Sequence, residues 1–247
     1  MKAFRTMLKT ELMLSFRGMD MVIFAIAFPA MVAIVLGAIF GQKPAFEGAS
    51  YTFFQQNYGA VASIGICATG VMGLPLVISD YRHKKILKRF KVTPVSPGLL
   101  LFTQVAVNFL YAVLSLMIVT LLSSLLFGFS MIGSLSGFIG AYLLVLFSIY
   151  SIGMMIAAVA KGIKASNLLC SIVYFPMLFF SGATLPYEVM PPVMQKAADF
   201  LPLTQGIKLL KGTSLGLPMN NILLPLMVMV VLGILCVIVS VKCFRWE

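Results

Sequence analysis

Six long apolar runs dominate the sequence, and each is long enough to cross a bilayer. They lie at about residues 21–40, 58–79, 99–127, 135–160, 167–185 and 222–241. A helix needs about 20 apolar residues to cross roughly 30 Å of hydrocarbon. None of the six runs contains Asp, Glu, Lys, Arg or His. The sequence therefore predicts an all-α polytopic membrane protein with six transmembrane helices.

The composition supports a membrane class and argues against a nucleic-acid partner. Of the 247 residues, 61% are hydrophobic and 10% are charged, whereas a soluble domain has about a quarter charged residues. The net charge is +11, but the cations fall in the loops and no aromatic-interleaved basic motif accompanies them. Topology explains this charge, so we expect no nucleic acid among the partners.

The loop at residues 80–98 sets the orientation of the chain. It carries six Lys or Arg residues between two apolar runs. Because moving these side chains through hydrocarbon is costly, short basic loops stay on the cytoplasmic side. With six spans, fourteen of the eighteen Lys and Arg residues lie on the same side as both termini. We therefore expect a multi-pass protein of a bacterial plasma membrane with cytoplasmic N- and C-termini.

The same loop has the pattern of a short helix. No Gly or Pro interrupts residues 81–92, and Pro94 ends the segment. Ile86, Leu87 and Phe90 share one side of such a helix, while the cations lie on its flanks and opposite side. The pattern predicts an amphipathic helix at the inner membrane surface. Two interpretations remain open, an anchor to anionic lipids and a docking surface for a cytoplasmic partner.

Two further segments outside the spans have helical patterns. Residues 1–20 predict an amphipathic helix in the membrane interface, although Glu11 falls near its apolar side. Residues 186–221 contain five prolines and predict short external helices at 189–200 and 204–211, which lie on or dip into the outer leaflet. Small-residue spacings such as Gly133-x-x-x-Gly137 predict close helix packing.

The chain lacks the residues that several membrane functions require. Its one histidine, His83, lies in the loop at 80–98 and no phosphate-binding G-x-x-x-x-G-K-[ST] motif occurs. Coupled carriers usually place an ionisable residue within the membrane, and intramembrane proteases need a Ser/His pair, an Asp pair or a zinc motif. The sequence therefore disfavours a secondary transporter and a protease, and we expect no enzyme activity and no metal site.

Two stretches of the sequence match the motifs of one known family of membrane proteins. Residues 79–105 read SDYRHKKILKRFKVTPVSPGLLLFTQV, in which Asp80, Arg82 and Thr93-Pro94-Val95-Ser96 match the family's cytoplasmic loop. Lys84-Lys85 stands where the family usually has Gly-Thr, and Asp80 stands in place of Glu. Residues 181–212 match the end of the family's fifth span and its external helices at Ser181, Gly182, Pro186, Glu188, Pro191, Pro202 and Thr204. The two stretches resemble the ABC-2 type permeases, the membrane subunits of ATP-driven exporters. With the six-span topology, the resemblance covers essentially all of residues 1–247 as one transmembrane domain.

The resemblance implies a half-transporter that works with other subunits. It would pair with a second permease, as a homodimer or a heterodimer within the membrane lipids, and recruit a separate ATPase subunit. ATP and Mg would be bound by that partner, and this chain would bind no cofactor. The helix at 81–92 would be the coupling helix. The implied coupling residues are Asp80, Tyr81, Arg82, Lys85, Ile86, Leu87, Arg89, Phe90, Thr93 and Pro94.

The second and fifth spans are the candidates for the substrate pathway, because they carry glycines and a mid-span proline. The candidate pathway residues are Thr69, Gly70, Gly73, Asn167, Ser171, Phe175, Pro176 and Phe179. The candidate residues of an external lid are Pro186, Glu188, Pro191, Pro202 and Thr204. An amphiphilic or lipid-like substrate is expected, such as a drug, lipid, peptide or glycolipid. The alternative is a non-transporting membrane scaffold or a passive channel.

Overall fold

The computed structural model describes residues 2–41, 43–86 and 97–244. Six of its helices are long and apolar enough to cross a membrane. In chain order these are α2 (Val22–Phe40), α3 (Phe53–His83), α4 (Pro97–Phe127), α5 (Leu135–Val159), α6 (Ile163–Phe180) and α9 (Met219–Cys243). Three shorter helices are α1 (Lys2–Gly18), α7 (Pro192–Ala198) and α8 (Pro202–Leu215). The described residues contain no strand beyond an isolated bridge, so the all-α, six-span prediction is confirmed.

The bounds of two spanning helices, α3 and α6, differ most from the predicted ones. Helix α3 begins at Phe53 rather than residue 58, because Thr52 caps it. The Gln55 backbone N–H donates to Thr52 Oγ1 at 3.1 Å, and the Thr52 backbone N–H donates to Gln55 Oε1 at 2.9 Å. This reciprocal capping box stabilises a helix start. Helix α6 runs from Ile163 to Phe180 instead of residues 167–185, and Gly182 follows it with a φ of +95°.

The loops gather at two ends of the bundle. The N-terminal end comprises residues 2–20, 80–86, 160–164 and 242–244. The opposite end comprises residues 41–53, 128–134 and 181–218. At each end, hydrogen bonds join segments that are far apart in the sequence. Arg82 reaches Ala160 at the N-terminal end, and Gly133 reaches Ser214 at the opposite end.

Helix α1 lies against α4 at the N-terminal end. Its Phe4 and Phe16 rings contact Phe102 and Tyr111, with centroid distances of 5.5 and 5.4 Å. After Gly18 the chain turns into α2 through Met19, whose φ is +58°. The predicted N-terminal helix is therefore present, and aromatic contacts hold it to the spanning bundle.

Helix α3 is the most enclosed of the six spanning helices. A π-helical stretch, Ala68–Gly73, interrupts it near its middle. Here α5 approaches closely, because a Cβ on Gly153 would lie 1.9 Å from the Gly70 carbonyl oxygen. Only glycine allows backbones to come this near. The second and fourth spans therefore approach most closely where Gly70 faces Gly153.

The opposite end contains a helix that enters the bundle. Helix α8 packs on α3, α5 and α9, and its Leu203, Leu209 and Leu210 are buried. Gly133 lies in the loop before α5 and donates its N–H to the Ser214 carbonyl at 2.7 Å. The Gly133-x-x-x-Gly137 spacing therefore does not mark two packed spans as predicted. It marks a loop that contacts α8, because Gly133 precedes the helix.

Candidate functional site

The predicted coupling helix at residues 81–92 is interrupted near its start. Helix α3 continues through Tyr81 and Arg82 to His83, and the Lys84 N–H closes the last turn on the Asp80 carbonyl at 2.9 Å. Lys85 then has a φ of +56°, which a right-handed helix does not allow. The prediction of an unbroken helix from residue 81 is therefore wrong. Tyr81 and Arg82 belong to the end of the second span, because a turn at Lys84–Lys85 interrupts the helix.

The described residues around the turn at Lys84–Lys85 differ in exposure. Lys84 and Lys85 are exposed, and the Lys84 ammonium pairs with Asp80 Oδ2 at 2.7 Å. Ile86 is half-buried. The cations at this helix end complement the negative pole of its dipole. Five further predicted coupling residues lie outside the described residues: Leu87, Arg89, Phe90, Thr93 and Pro94.

Tyr81 joins three helices through one carboxylate. Its hydroxyl donates to Glu11 Oε2 at 2.5 Å, and the Gln104 side-chain amide donates to the same oxygen at 2.7 Å. The amide also lies 3.2 Å from the Tyr81 hydroxyl. Sequence reasoning missed this cluster, although Glu11 on the apolar side of α1 was a signal of it. A charged group there needs partners, and α3 and α4 supply them.

Arg82 connects the end of α3 to the end of α5. Its Nη1 and Nη2 atoms donate to the carbonyls of Ala160 and Ala157 at 3.0 and 2.9 Å. The guanidinium also lies 5.4 Å from the centroid of the Phe244 ring. The planar fork of arginine suits two neighbouring acceptors. Arg82 therefore contacts the bundle itself, and its side chain ties two spans together.

Three of the predicted pathway residues, Thr69, Gly70 and Gly73, lie inside the protein. Thr69 is fully buried, donates to the Gly65 carbonyl at 2.8 Å and accepts a 2.9 Å hydrogen bond from the Tyr150 hydroxyl. Gly70 lies against the side chain of Tyr150 and the backbone of Gly153. In this conformation Thr69 and Gly70 pack α3 against α5, and neither residue lines the cavities at the two ends of the bundle.

The pathway residues of the fifth span follow one surface of α6. The Phe175 and Phe179 rings stack with a centroid distance of 6.4 Å and are about half exposed. Asn167 is exposed and Ser171 half-buried on the same side of the helix. Pro176 lies within α6 and is half-buried. The structure therefore presents an aromatic surface with a polar end.

A cavity brings Asn167 and Gly73 together at the N-terminal end. It has a volume of about 490 Å³ and lies between α1, α3, α4 and α6. The polar side chains along its wall include Glu11, Asp20, Asp80, Gln104, Asn108 and Asn167. Asp80 of the predicted coupling set lies on this wall as well. Residues predicted for coupling and for the pathway thus meet at one place.

The predicted lid forms a network of polar contacts at the opposite end. Glu188 Oε1 accepts a 2.8 Å hydrogen bond from the Gln56 amide of α3 and pairs with the Lys211 ammonium of α8. Thr204 is 1% exposed. Glu188 and Thr204 both line a cavity of about 260 Å³ at this end. The structure therefore brings Glu188 and Thr204 together and ties this segment to two helices.

Three prolines shape the chain around this network. Pro186 precedes the short 3₁₀ turn Tyr187–Val189, and Pro191 precedes α7. Pro202 occupies the first turn of α8, where a missing N–H costs nothing. These three lid residues therefore set the starts of short helices.

A second charged group supports the same segment. Asp199 Oδ1 accepts hydrogen bonds from the Tyr187 hydroxyl at 2.9 Å and from the Lys208 ammonium at 2.6 Å. The Lys208 ammonium also lies 5.0 Å from the centre of the Tyr187 ring. Burial, followed by the neighbouring Asp199, raises the pKa of Tyr187 to about 12. The hydroxyl therefore stays protonated near neutral pH and donates its hydrogen bond.

A bundle of six spanning helices, with a basic end and with ion pairs that hold the segment at the opposite end, defines a multi-pass membrane protein. The family model of the ABC-2 type transporter matches residues 2–215, and the chain belongs to that family. This is a family of membrane subunits of ABC transporters that normally work with an ATPase subunit and are not themselves catalytic. The resemblance seen in the two sequence stretches is confirmed.

Curated relatives from rhizobia share part of the chain. Nodulation protein J of Rhizobium leguminosarum bv. viciae is 36% identical over 91 residues, which are 37% of this chain and 33% of the relative. Nodulation protein J of Neorhizobium galegae is 33% identical over 94 residues, 38% of this chain and 34% of the relative. The chain thus spans about a third of the length of the curated relatives it matches.

Proposed function

We propose that this chain is the permease subunit of an exporter that moves an amphiphilic or lipid-like substrate, driven by a separate ATPase subunit. The observation that carries the proposal is the position of the cationic turn at Lys84–Lys85. It ends α3, the most enclosed helix, which packs on α4, α5, α6 and α8. A force on residues 84–96 would therefore act on most of the bundle through one helix.

The connections at this end support such a transfer of force. Arg82 holds the end of α3 to α5, and Tyr81 holds it to Glu11 of α1. Packed elements with discrete arrangements carry motion between distant sites. Closure of the ATPase subunits would move α3 together with its neighbours and switch the permease between inward-open and outward-open states.

The N-terminal end faces the cytoplasm in this proposal. Fourteen of the eighteen Lys and Arg residues belong to segments on this side, and short loops rich in these residues remain cytoplasmic. The rhizobial relatives favour a bacterial plasma membrane. The ATPase would thus bind beneath α3, and the segment tied by Glu188 would close the pathway on the outer side.

A second permease would pair along α6. The surface formed by Phe175 and Phe179 is exposed over two helical turns, next to the exposed Leu168 and Ile172. Aromatic side chains supply much of the contact energy where two subunits meet. Because Thr69 and Gly70 are buried, the proposed pathway follows this α6 surface, between Asn167 at one end and Phe179 at the other.

Stimulated ATP turnover tests the proposal. The chain is reconstituted in nanodiscs with its ATPase, and hydrolysis is compared between the wild type and the double variant Leu87→Asp with Arg89→Glu. We expect the variant to lose most of the stimulation, because a buried carboxylate and a reversed charge both oppose docking.

A matched double variant at the opposite end controls for charge change. Phe46→Asp with Lys43→Glu alters an exposed apolar residue and an exposed cation in the loop between α2 and α3, and it should leave turnover unchanged. Equal turnover and assembly in all three proteins would contradict the coupling assignment and favour a non-transporting scaffold.

A further inference from the structure

The cavity at the N-terminal end has the size of a ligand site. Its volume of about 490 Å³ lies within the range of roughly 300–1,000 Å³ found for small-molecule pockets. Four helices contribute to it, and α1 closes one side. It therefore lies between helices of one subunit and meets the α6 surface proposed for pairing at Asn167.

The charge of this cavity is opposite to that of the whole chain. Glu11, Asp20 and Asp80 line it, and these are three of only seven acidic residues in a chain of net charge +11. Lys84 also lines it and pairs with Asp80, so one cation stands against three carboxylates. Helix α1 ends at this wall at Gly18, and the negative pole of its dipole adds to the same sign.

A buried acceptor points to a ligand with hydrogen-bond donors. Asn108 is 3% exposed, and its Nδ2 donates to the Gln104 carbonyl at 2.9 Å. Its Oδ1 is buried without a hydrogen-bond partner among the described residues. A Cβ on Gly73 would lie 2.4 Å from that oxygen, so the oxygen packs directly on the Gly73 backbone, where both residues line the cavity. A buried acceptor without a donor is costly, and a bound N–H group would remove that cost.

The rest of the wall suits a hydrocarbon chain. The apolar side chains that line the cavity include Leu14, Met21, Met72, Leu76, Val77 and Val107. Methionine side chains adapt to ligands of different shape. An apolar wall with acceptors at one side matches a molecule with a long tail and a polar head.

We infer that this cavity binds a cationic amphiphile, an ammonium group with N–H donors on an apolar chain. Glu11 and Asp20 supply the opposite charge, Asn108 Oδ1 accepts an N–H, and the apolar wall holds the chain. Anionic amphiphiles are disfavoured by the carboxylates. The described carboxylates are not grouped closely enough to hold a metal ion. As the substrate class of the exporter, this inference rests on the proposed function and narrows it.

Binding to the permease alone provides the test. The chain in phosphatidylcholine nanodiscs is titrated at low salt with decylammonium, decyltrimethylammonium and decyl sulfate, and empty nanodiscs give the background. We expect decylammonium to bind most tightly. Decyltrimethylammonium has no N–H donor for Asn108 Oδ1, and decyl sulfate has the repelled charge. Equal affinity for decylammonium and either other probe would overturn the inference.

A variant with a matched control locates the site. Asp20→Asn removes one exposed carboxylate of the cavity, and Glu47→Gln removes an exposed carboxylate at the opposite end. We expect Asp20→Asn to weaken decylammonium binding about two- to fivefold, the range of a partly exposed charge pair, and Glu47→Gln to leave it unchanged. An equal effect of both variants would overturn the inference.

A negative result in the ATPase experiment can be distinguished from a negative result in the binding experiment. Binding is measured without the ATPase, so the absence of selective binding leaves the turnover result untouched. If the wild-type chain does not stimulate ATP turnover but still binds decylammonium selectively, the proposed exporter function is contradicted. The proposed binding site in the cavity is not.

Discussion

The Tyr81 hydroxyl donates a 2.5 Å hydrogen bond to the carboxylate of Glu11, seventy residues earlier in the chain. This contact holds the N-terminal helix α1 against the end of α3, at the point where the chain turns toward the predicted coupling segment. Gln104 of α4 donates to the same carboxylate. Three helices therefore meet at one charged group, and the end of α3 has a defined position.

Removing the Tyr81 hydroxyl should weaken this junction. Tyr81→Phe keeps the ring and loses one hydrogen bond to a charged group, so we expect a loss of about 1–2 kcal/mol in the free energy of unfolding. Glu11→Gln should have a similar effect, and the double variant should cost less than the sum of the two. Thermal unfolding in detergent measures this, with Glu47→Gln as the control. Additive losses would show that the two residues act independently.

Adding one methyl group should separate α3 from α5. In Gly153→Ala the new Cβ would lie 1.9 Å from the Gly70 carbonyl oxygen, so the helices must shift at a cost of about 1–3 kcal/mol. Gly140→Ala is the matched control on the same helix, because nothing lies within 4 Å of its position. Thermal unfolding of both variants is the measurement. Equal melting temperatures for the two would contradict the close approach.

Loss of the Glu188 charge should loosen the external segment. Glu188→Gln weakens the ion pair with Lys211, which lies at a half-buried position. Such a pair contributes up to about 1 kcal/mol, so amide hydrogen exchange in residues 187–198 should become up to about fivefold faster. Exchange in α5 provides the internal reference. An unchanged rate in the external segment would show that the pair does not hold it closed.

Crosslinking should identify the surface where two permeases meet. In a Cys243→Ser background, which removes the exposed native thiol, Phe179→Cys should form a crosslinked dimer with a short bis-maleimide. Leu125→Cys on α4 is the control, since Leu125 is 73% exposed and Phe179 is 51% exposed. Gel electrophoresis of the membranes gives the result. A dimer with Leu125→Cys, and none with Phe179→Cys, would move the pairing surface away from α6.

Apolar run length was sufficient to predict the spans, because crossing a bilayer requires length and hydrophobicity that the chain carries locally. The ends of the spans were harder to predict. Helix α3 gains its first turn from the capping pair Thr52 and Gln55, and it extends to His83 because Tyr81 and Arg82 find partners on other helices. Neither extension is visible in hydropathy alone.

The candidate site could be predicted only in part, because its geometry also depends on contacts between helices. Glu188 and Thr204 were selected by resemblance, and they line one cavity. Thr69 and Gly70 were selected by their position in a glycine-rich span, yet they face Tyr150. Which side of a buried helix meets another helix depends on its neighbours, and periodicity does not distinguish neighbours when nearly every residue is apolar.

The sequence alone was sufficient to predict the membrane class, the number of spans and the expected side of the basic loop. The transfer of apolar and charged groups between water and lipid depends on each segment by itself. The meeting of Glu11 with Tyr81 and the gathering of three carboxylates around one cavity depend on long-range packing. Residues far apart in the chain become neighbours only when helices pack, and the partners of a buried polar group are then chosen by geometry.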